Sequence, residues 1–165
     1  MNDMTLFEAM EELGERTADM VAGSIVHDCG PGLPMEAIRE LQRDMVSVAT
    51  MQGLPMRPTQ VEHLFADGMY ARKYAMPAGQ LAVTKTHKQK HFIVVVGDCT
   101  ILTDGAQKRL TGFHCFITHP GTKRVITAHA DTLFITFHKT DLTDPDAIED
   151  ELTIPEGNIF EEVMP

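Results

Sequence analysis

The stretch His91-Phe-Ile-Val-Val-Val-Gly97, continued by Asp98-Cys-Thr-Ile-Leu-Thr-Asp-Gly105, decides the fold class. β-branched and aromatic residues suit a pleated, half-buried surface. Gly97-Asp98 and Asp104-Gly105 bring the residues that turns require. Two short strands are predicted, His91–Val96 and Thr100–Leu102. The same rhythm extends outward. Runs near Gly68–Met76, Gln80–Lys85, Lys108–Thr111, Cys115–Thr118, Arg124–Ala128 and Thr132–His138 are each bounded by turn residues such as Ala78-Gly79 and Pro120-Gly121. Short strands with a turn every 8–12 residues predict an all-β sandwich or barrel.

Before Val61 the hydrophobic period is helical. Thr5-Leu-Phe-Glu8 is a capping box, and Leu6, Phe7, Met10 and Leu13 follow at helical spacing. Cys29-Gly-Pro-Gly-Leu-Pro34 interrupts the chain. Ile38, Leu41, Met45 and Val48 then mark a second helix with Pro34 in its first turn. Both helices are expected to pack outside the barrel. After residue 140, Asp144–Leu152 suggests one or two helical turns, and Pro155 to Pro165 is an acidic tail. The expected organisation is a helical extension over 1–58, a barrel over 59–140 and an acidic tail over 141–165, all in one structural domain.

The chain has 165 residues, 43% of them hydrophobic, and a net charge of −10. Residues 1–58 carry −6, residues 59–140 carry +5, and residues 141–165 carry −9. The middle segment either balances the acidic ends or attracts an anionic ligand. Non-specific nucleic-acid binding is disfavoured, because it depends on neutralising phosphates. No apolar run is long enough to span a membrane, and residues 1–13 lack the pattern of a signal peptide. Cys29, Cys99 and Cys115 are odd in number and scattered. They predict no disulfide framework and fit a reducing cytoplasm. Cys99 and Cys115 are expected in the core.

His87 and His91 are the main chemical signal. Along an extended segment, residues four apart share a face, and Ile93 and Val95 continue it inward. A bulge at Lys88-Gln89-Lys90 would break that parity. Two imidazoles begin a site for Zn, Fe, Mn or Ni, and a third ligand is needed. His129, past the Arg124 strand, is the first candidate and His138 the alternative. His63, His114 and His119 read as structural or surface residues. Tyr70 and Tyr74 share a strand face and could line a pocket.

Pro77-Ala-Gly79, His87, His91, Gly97, Gly112 and Pro120-Gly-Thr-Lys-Arg124 together resemble the two motifs of the cupin superfamily. Anchored on Gly97, His91 falls at the motif's glutamate position, His87 at the second histidine and Lys85 at the first. Anchored on Gly121, Arg124 falls at the second-motif histidine. Arginine does not ligate metals, so this pattern departs from the usual four-ligand site. Glu62-His-Leu-Phe-Ala-Asp-Gly-Met-Tyr-Ala-Arg72, together with His138-Lys-Thr-Asp-Leu-Thr-Asp144, is similar to small phage-type cupins.

The resemblance covers roughly residues 61–152. It implies a mainly β, cupin-like double-stranded β-helix (a jelly-roll barrel) with two N-terminal helices. It also implies a phage-encoded chain in the bacterial host cytoplasm. In that register Lys85 and Arg124 face the interior. There they either hold a small anion or, for Arg124, pair with Glu62, Asp67 or Asp131. Three functions follow as expectations: a metal-dependent enzyme of dioxygenase or isomerase type, an anion-binding protein, or a scaffold. A homodimer is expected from the sheet edges and the Met-rich helices.

Overall fold

The two apolar runs around Gly97 form one strand. The structure, a computed structural model, describes residues 23–54 and 61–155. In chain order the elements are β1 Ile25–Gly30, α1 Met35–Gln52, β2 Val61–Ala66, β3 Met69–Met76, β4 Leu81–Val83, β5 His91–Thr103, β6 Ala106–Thr118, β7 Val125–Ala128, β8 Thr132–Lys139 and α2 Pro145–Leu152. β5 and β6 pair without a break from His91↔Thr118 to Thr103↔Ala106. The two expected strands on each side of this hairpin are therefore continuous. Gly97 lies opposite Gly112, and both have positive φ, 141° and 89°. With glycines facing each other, the ladder can bend there without ending.

That bend lets β5 serve two partners. Its first half pairs with β8, from Phe92↔Phe137 to Val96↔Leu133. Its second half pairs with β7, from Cys99↔Ala128 to Leu102↔Val125. The strand order is β1-β6-β5-β8-β3-β2, with β4 joined through β7. Every pairing is antiparallel. The molecule is mainly β. Odd-numbered β5 residues Ile93, Val95, Cys99 and Ile101 form the core with Met76, Leu110, Ile126, Ala128 and Phe134. Burial pushes the Cys99 thiol up to about 12, with help from the Asp98 carboxylate.

A methyl group on Gly97 would lie 2.6 Å from Thr132 Oγ1 and 2.8 Å from the Asp131 carbonyl. Gly97→Ala should therefore destabilise the fold by about 2–5 kcal/mol, combining backbone strain with overpacking. Thermal unfolding measures this, and an unchanged Tm would mean that the bend does not need glycine.

Three expectations need correction. Ile25–Gly30 is a strand, paired from Ile25↔Thr111 to Gly30↔Gln107, so the N-terminal region is not helical throughout. It covers an edge of β6, a tertiary demand that local pattern does not encode. β2 is a further strand, paired with β3 through Asp67 and Gly68, both with positive φ. Asp-Gly between apolar runs is a two-residue hairpin signature, so this signal was in the sequence. Cys115 is exposed rather than in the core, because it lies opposite Val94 on the outer sheet face.

The helix predicted from Thr5 lies outside the described residues. The second helix matches α1, although Pro34 stands at its N-cap rather than in its first turn. Ile38 is its one buried residue. The Asp144–Leu152 segment forms α2, with Asp144 capping the Ala147 N–H. Ile148 and Leu152 of α2 pack with Tyr70. No helix among the described residues is long and apolar enough to cross a membrane.

Candidate metal centre

Strand register assembles a histidine cluster where β5 begins. His91 is the first residue of β5, on the same face as Ile93 and opposite Thr118. The β5–β8 pairing, with Phe92 opposite Phe137, brings His138 beside His91. His138 lies opposite Tyr70 of β3. His87 arrives by a different route. Its segment is a loop with bends at Lys88 and Gln89, so shared strand parity is not what joins it to His91. The His87 carbonyl accepts from the Gly121 N–H, and the flanking chain pairs with the end of α2 through Lys88 N–H to Leu152 O and Ile154 N–H to Thr86 O.

The ring centroids lie 4.3 Å apart for His87–His91, 4.5 Å for His91–His138 and 5.3 Å for His87–His138. One nitrogen from each ring lies within 4.8 Å of the others. Nitrogens sharing a tetrahedral ion at about 2.0–2.1 Å sit about 3.3 Å apart, so modest ring rotations would close the set. The second ring nitrogens also fit. His91 Nδ1 lies 3.3 Å from the Gln89 carbonyl, and His87 bonds the backbone of Lys85. A backbone carbonyl holding one ring N–H leaves the other nitrogen free to ligate. His138 is buried and makes no side-chain hydrogen bond among the described residues. Its stacking on Tyr70, at 6.0 Å, leaves its nitrogens to the cluster.

Burial lowers all three histidine pKa values. His87 falls to about 4, by desolvation first and then by His91, Arg124 and Arg72. His138 falls to about 3, by desolvation first and then by His91, His87 and Arg72. Desolvation also lowers His91, against the pull of the Gln89 carbonyl. At neutral pH all three are uncharged, the form that binds a metal.

The other candidates separate. His129 does not join the cluster: it is exposed and its Nε2 lies 2.7 Å from Thr100 Oγ1. The third imidazole is His138, because β8 enters between β5 and β3 while His129 sits in the turn beyond β7. Lys85 is exposed and pairs with Glu149 of α2 rather than facing the interior. Lys88 Nζ likewise donates to the Asp150 carbonyl. Here Glu149 of the acidic C-terminal segment neutralises one barrel lysine, Lys85, which fits charge balance as the simpler account of the pattern.

Tyr70 is buried beside His138, and its hydroxyl is engaged by His63 Nδ1 at 2.7 Å. Arg124 is buried, but among the described residues it makes no salt bridge to Glu62, Asp67 or Asp131. Glu62 pairs with Lys73, and Asp131 accepts from the Ala78 N–H. Arg124 instead donates Nη2–H to Thr118 Oγ1 at 3.1 Å and lies over the Phe116 ring. Arg72 escaped the sequence argument. It lies between Tyr70 and Tyr74 on the same face of β3, opposite Thr136, and its charge acts on His87 and His138. The strand parity that singled out the tyrosines would have found it.

The class defined by fold and site is an antiparallel β-barrel with three clustered imidazoles at one end. Solved structures to which the chain is similar include proteins named as cupins. A cupin 2 domain-containing protein from Halorhodospira halophila is 16% identical, over 66% of this chain and 77% of that one, with a TM-score of 0.45. KdgF from Halomonas sp. is 19% identical over 57% and 89%, with a TM-score of 0.45. Ectoine synthase from P. lautus is 17% identical over 57% and 72%, with a TM-score of 0.44. No protein-family model and no curated protein matches the chain.

Proposed function

We propose that this chain is a metal-binding, cupin-type barrel in which His87, His91 and His138 hold one divalent ion. The observation that carries it is the convergence of three ring nitrogens within 4.8 Å. No carboxylate joins the three imidazoles, and desolvation keeps them neutral, the form whose ring nitrogens ligate a metal. An imidazole-only set suits Zn, Fe or Ni. Three protein ligands leave a position open, as in catalytic rather than structural sites. When bound, such an ion supplies Lewis-acid activation of water or of a carbonyl. This chain's residues orient it: the Gln89 carbonyl and the Lys85 backbone fix the rings of His91 and His87, while Tyr70 packs against His138. A metal-dependent enzyme is therefore favoured over an inert scaffold. The phage-type motif string supports a phage-encoded chain working in the host cytoplasm. Elemental analysis of protein purified without a histidine tag tests the metal and should find about one ion per chain. A metal-free protein that also fails to take up added Zn, Fe, Mn or Ni would sink the proposal.

A homodimer is the second part of the proposal. Phe92, Val94, Cys115, Ile117, Ile135 and Phe137 are cross-strand neighbours on the outer face of β5, β6 and β8. Phe92 and Ile117 are about half exposed, at 55% and 49%. Apolar patches of several hundred Å² mark interaction sites. Two copies at −10 repel, and a charge-free patch is where they can approach most easily. A second copy related by twofold symmetry is the occupant. Light scattering should give twice the mass of one chain, and the Phe92→Lys, Ile117→Lys double variant should halve it. A wild type with the mass of one chain overturns the dimer.

A further inference from the structure

We infer that the histidine site takes a carboxylate-bearing substrate, whose anionic end is held by the buried guanidinium of Arg124 with support from Arg72. The inference rests on the proposed metal site only in placing the rest of the substrate at the three imidazoles.

Charge balance points there first. Arg124 is 8% exposed, and no carboxylate pairs with it among the described residues. The chain carries 24 acidic residues against 14 basic ones, so acids were plentiful. The exposed arginines use them: Arg109 makes a two-pronged bond to Asp98, at 2.8 and 2.7 Å, and Arg43 meets Glu36. The buried arginine has none, which is the reverse of the usual arrangement for burial.

Guanidinium chemistry narrows the ligand. The group has five N–H donors in a rigid fork. Arg124 spends one on Thr118 Oγ1, while Phe116 covers its face. The remaining donors match the two oxygens of a carboxylate. Thr118 lies opposite His91, and the Arg124 charge is felt at both His87 and His91. The anion subsite and the imidazoles are therefore neighbours. Arg72 of β3, opposite Thr136 of β8, also acts on His87 and His138, and no salt bridge neutralises it among the described residues. The cluster is thus flanked by two guanidinium groups with no carboxylate among its members. A singly charged carboxylate costs less to desolvate here than a phosphate, which carries nearly two charges and asks for more donors.

The test measures thermal stability of the full chain, with metal content recorded for each sample. Malonate is the carboxylate probe, uncharged malonamide the control, and inorganic phosphate the alternative anion. Malonate at about 100 times its Kd should raise the wild-type Tm by about 5–10 °C, while malonamide should not. Arg124→Gln should abolish at least nine-tenths of the malonate affinity and retain the metal. Arg124→Lys, which keeps the charge but loses the fork, should recover only part of it. Arg72→Gln, at a less buried position, should weaken malonate by several-fold and supplies the answer if Arg124→Gln does not fold. The inference is overturned if wild type with its metal ignores malonate, if malonamide stabilises equally, if phosphate binds more tightly than malonate, or if the folded arginine variants respond as wild type does. Loss of metal in wild type with malonate binding intact would sink the metal proposal and leave the anion subsite standing.

Discussion

His138→Leu should strip the protein of its ion, and its effect on stability should depend on the metal. A ligand bound only by the folded state stabilises it by about 2.7 kcal/mol at 100 times its Kd. For a chain of this size that amounts to about 5–10 °C in Tm. Metal-loaded wild type should therefore exceed His138→Leu by about that margin. After chelation the order should close or reverse. The His138 ring is 5% exposed and hydrogen-bonded to nothing among the described residues. Replacing a buried ring that makes no hydrogen bond among the described residues by an apolar side chain of similar bulk breaks no bond and should be close to neutral. His87→Ala and His91→Ala should lose the metal too, whereas His129→Ala should keep it, because that ring is spent on Thr100. Differential scanning fluorimetry with and without chelator, paired with elemental analysis, reads all of these. If His138→Leu costs the same Tm with and without metal, the cluster is a packing feature.

The barrel was legible because its signal is local. Alternating burial along His91–Val96, with residues 91, 93 and 95 buried, is what a period-two pattern encodes. Gly97 and Gly112 were legible as special backbone, but not as facing glycines that bend a continuous hairpin. A turn and a bend require the same residue, and only the partner strand distinguishes them. β1 was illegible for a similar reason: all six of its residues are exposed, so no buried face imposed a pattern. In the site, His87 and His91 were visible as a pair, while the choice between His129 and His138 depended on which strand lies beside β5. Strand order is a long-range property that spacing along the chain does not carry. Lys85 was misplaced because the motif register assumed a strand, and β4 ends at Val83.

Metal-free protein should lose stability steeply as pH falls from about 6.5 to 4. An unfolded histidine titrates near 6.5, whereas the folded values are about 4 for His87 and about 3 for His138. Between those limits the unfolded state binds more protons, so stability must fall with falling pH. The stabilisation is fully present above 6.5 and is lost progressively down to the folded values. Each proton taken up on unfolding costs about 1.4 kcal/mol per pH unit. Two groups over this window give about 4–6 kcal/mol by pH 4, a large share of the 5–15 kcal/mol that holds a typical domain together. His91 shifts in the same direction. The imidazolium charges would repel one another and the two arginines, so protonating one ring makes the next harder to protonate in the folded state. The paired carboxylate Asp98, which Arg109 holds below the ordinary value, loses its contribution mainly below about 3.8 and so overlaps only the acid end of this window. Urea unfolding in chelator at pH 7, 6, 5 and 4 measures the slope. His138→Leu should remove about one proton from it and become the more stable protein near pH 5, while identical slopes for the two chains would mean that the buried imidazoles do not govern acid stability.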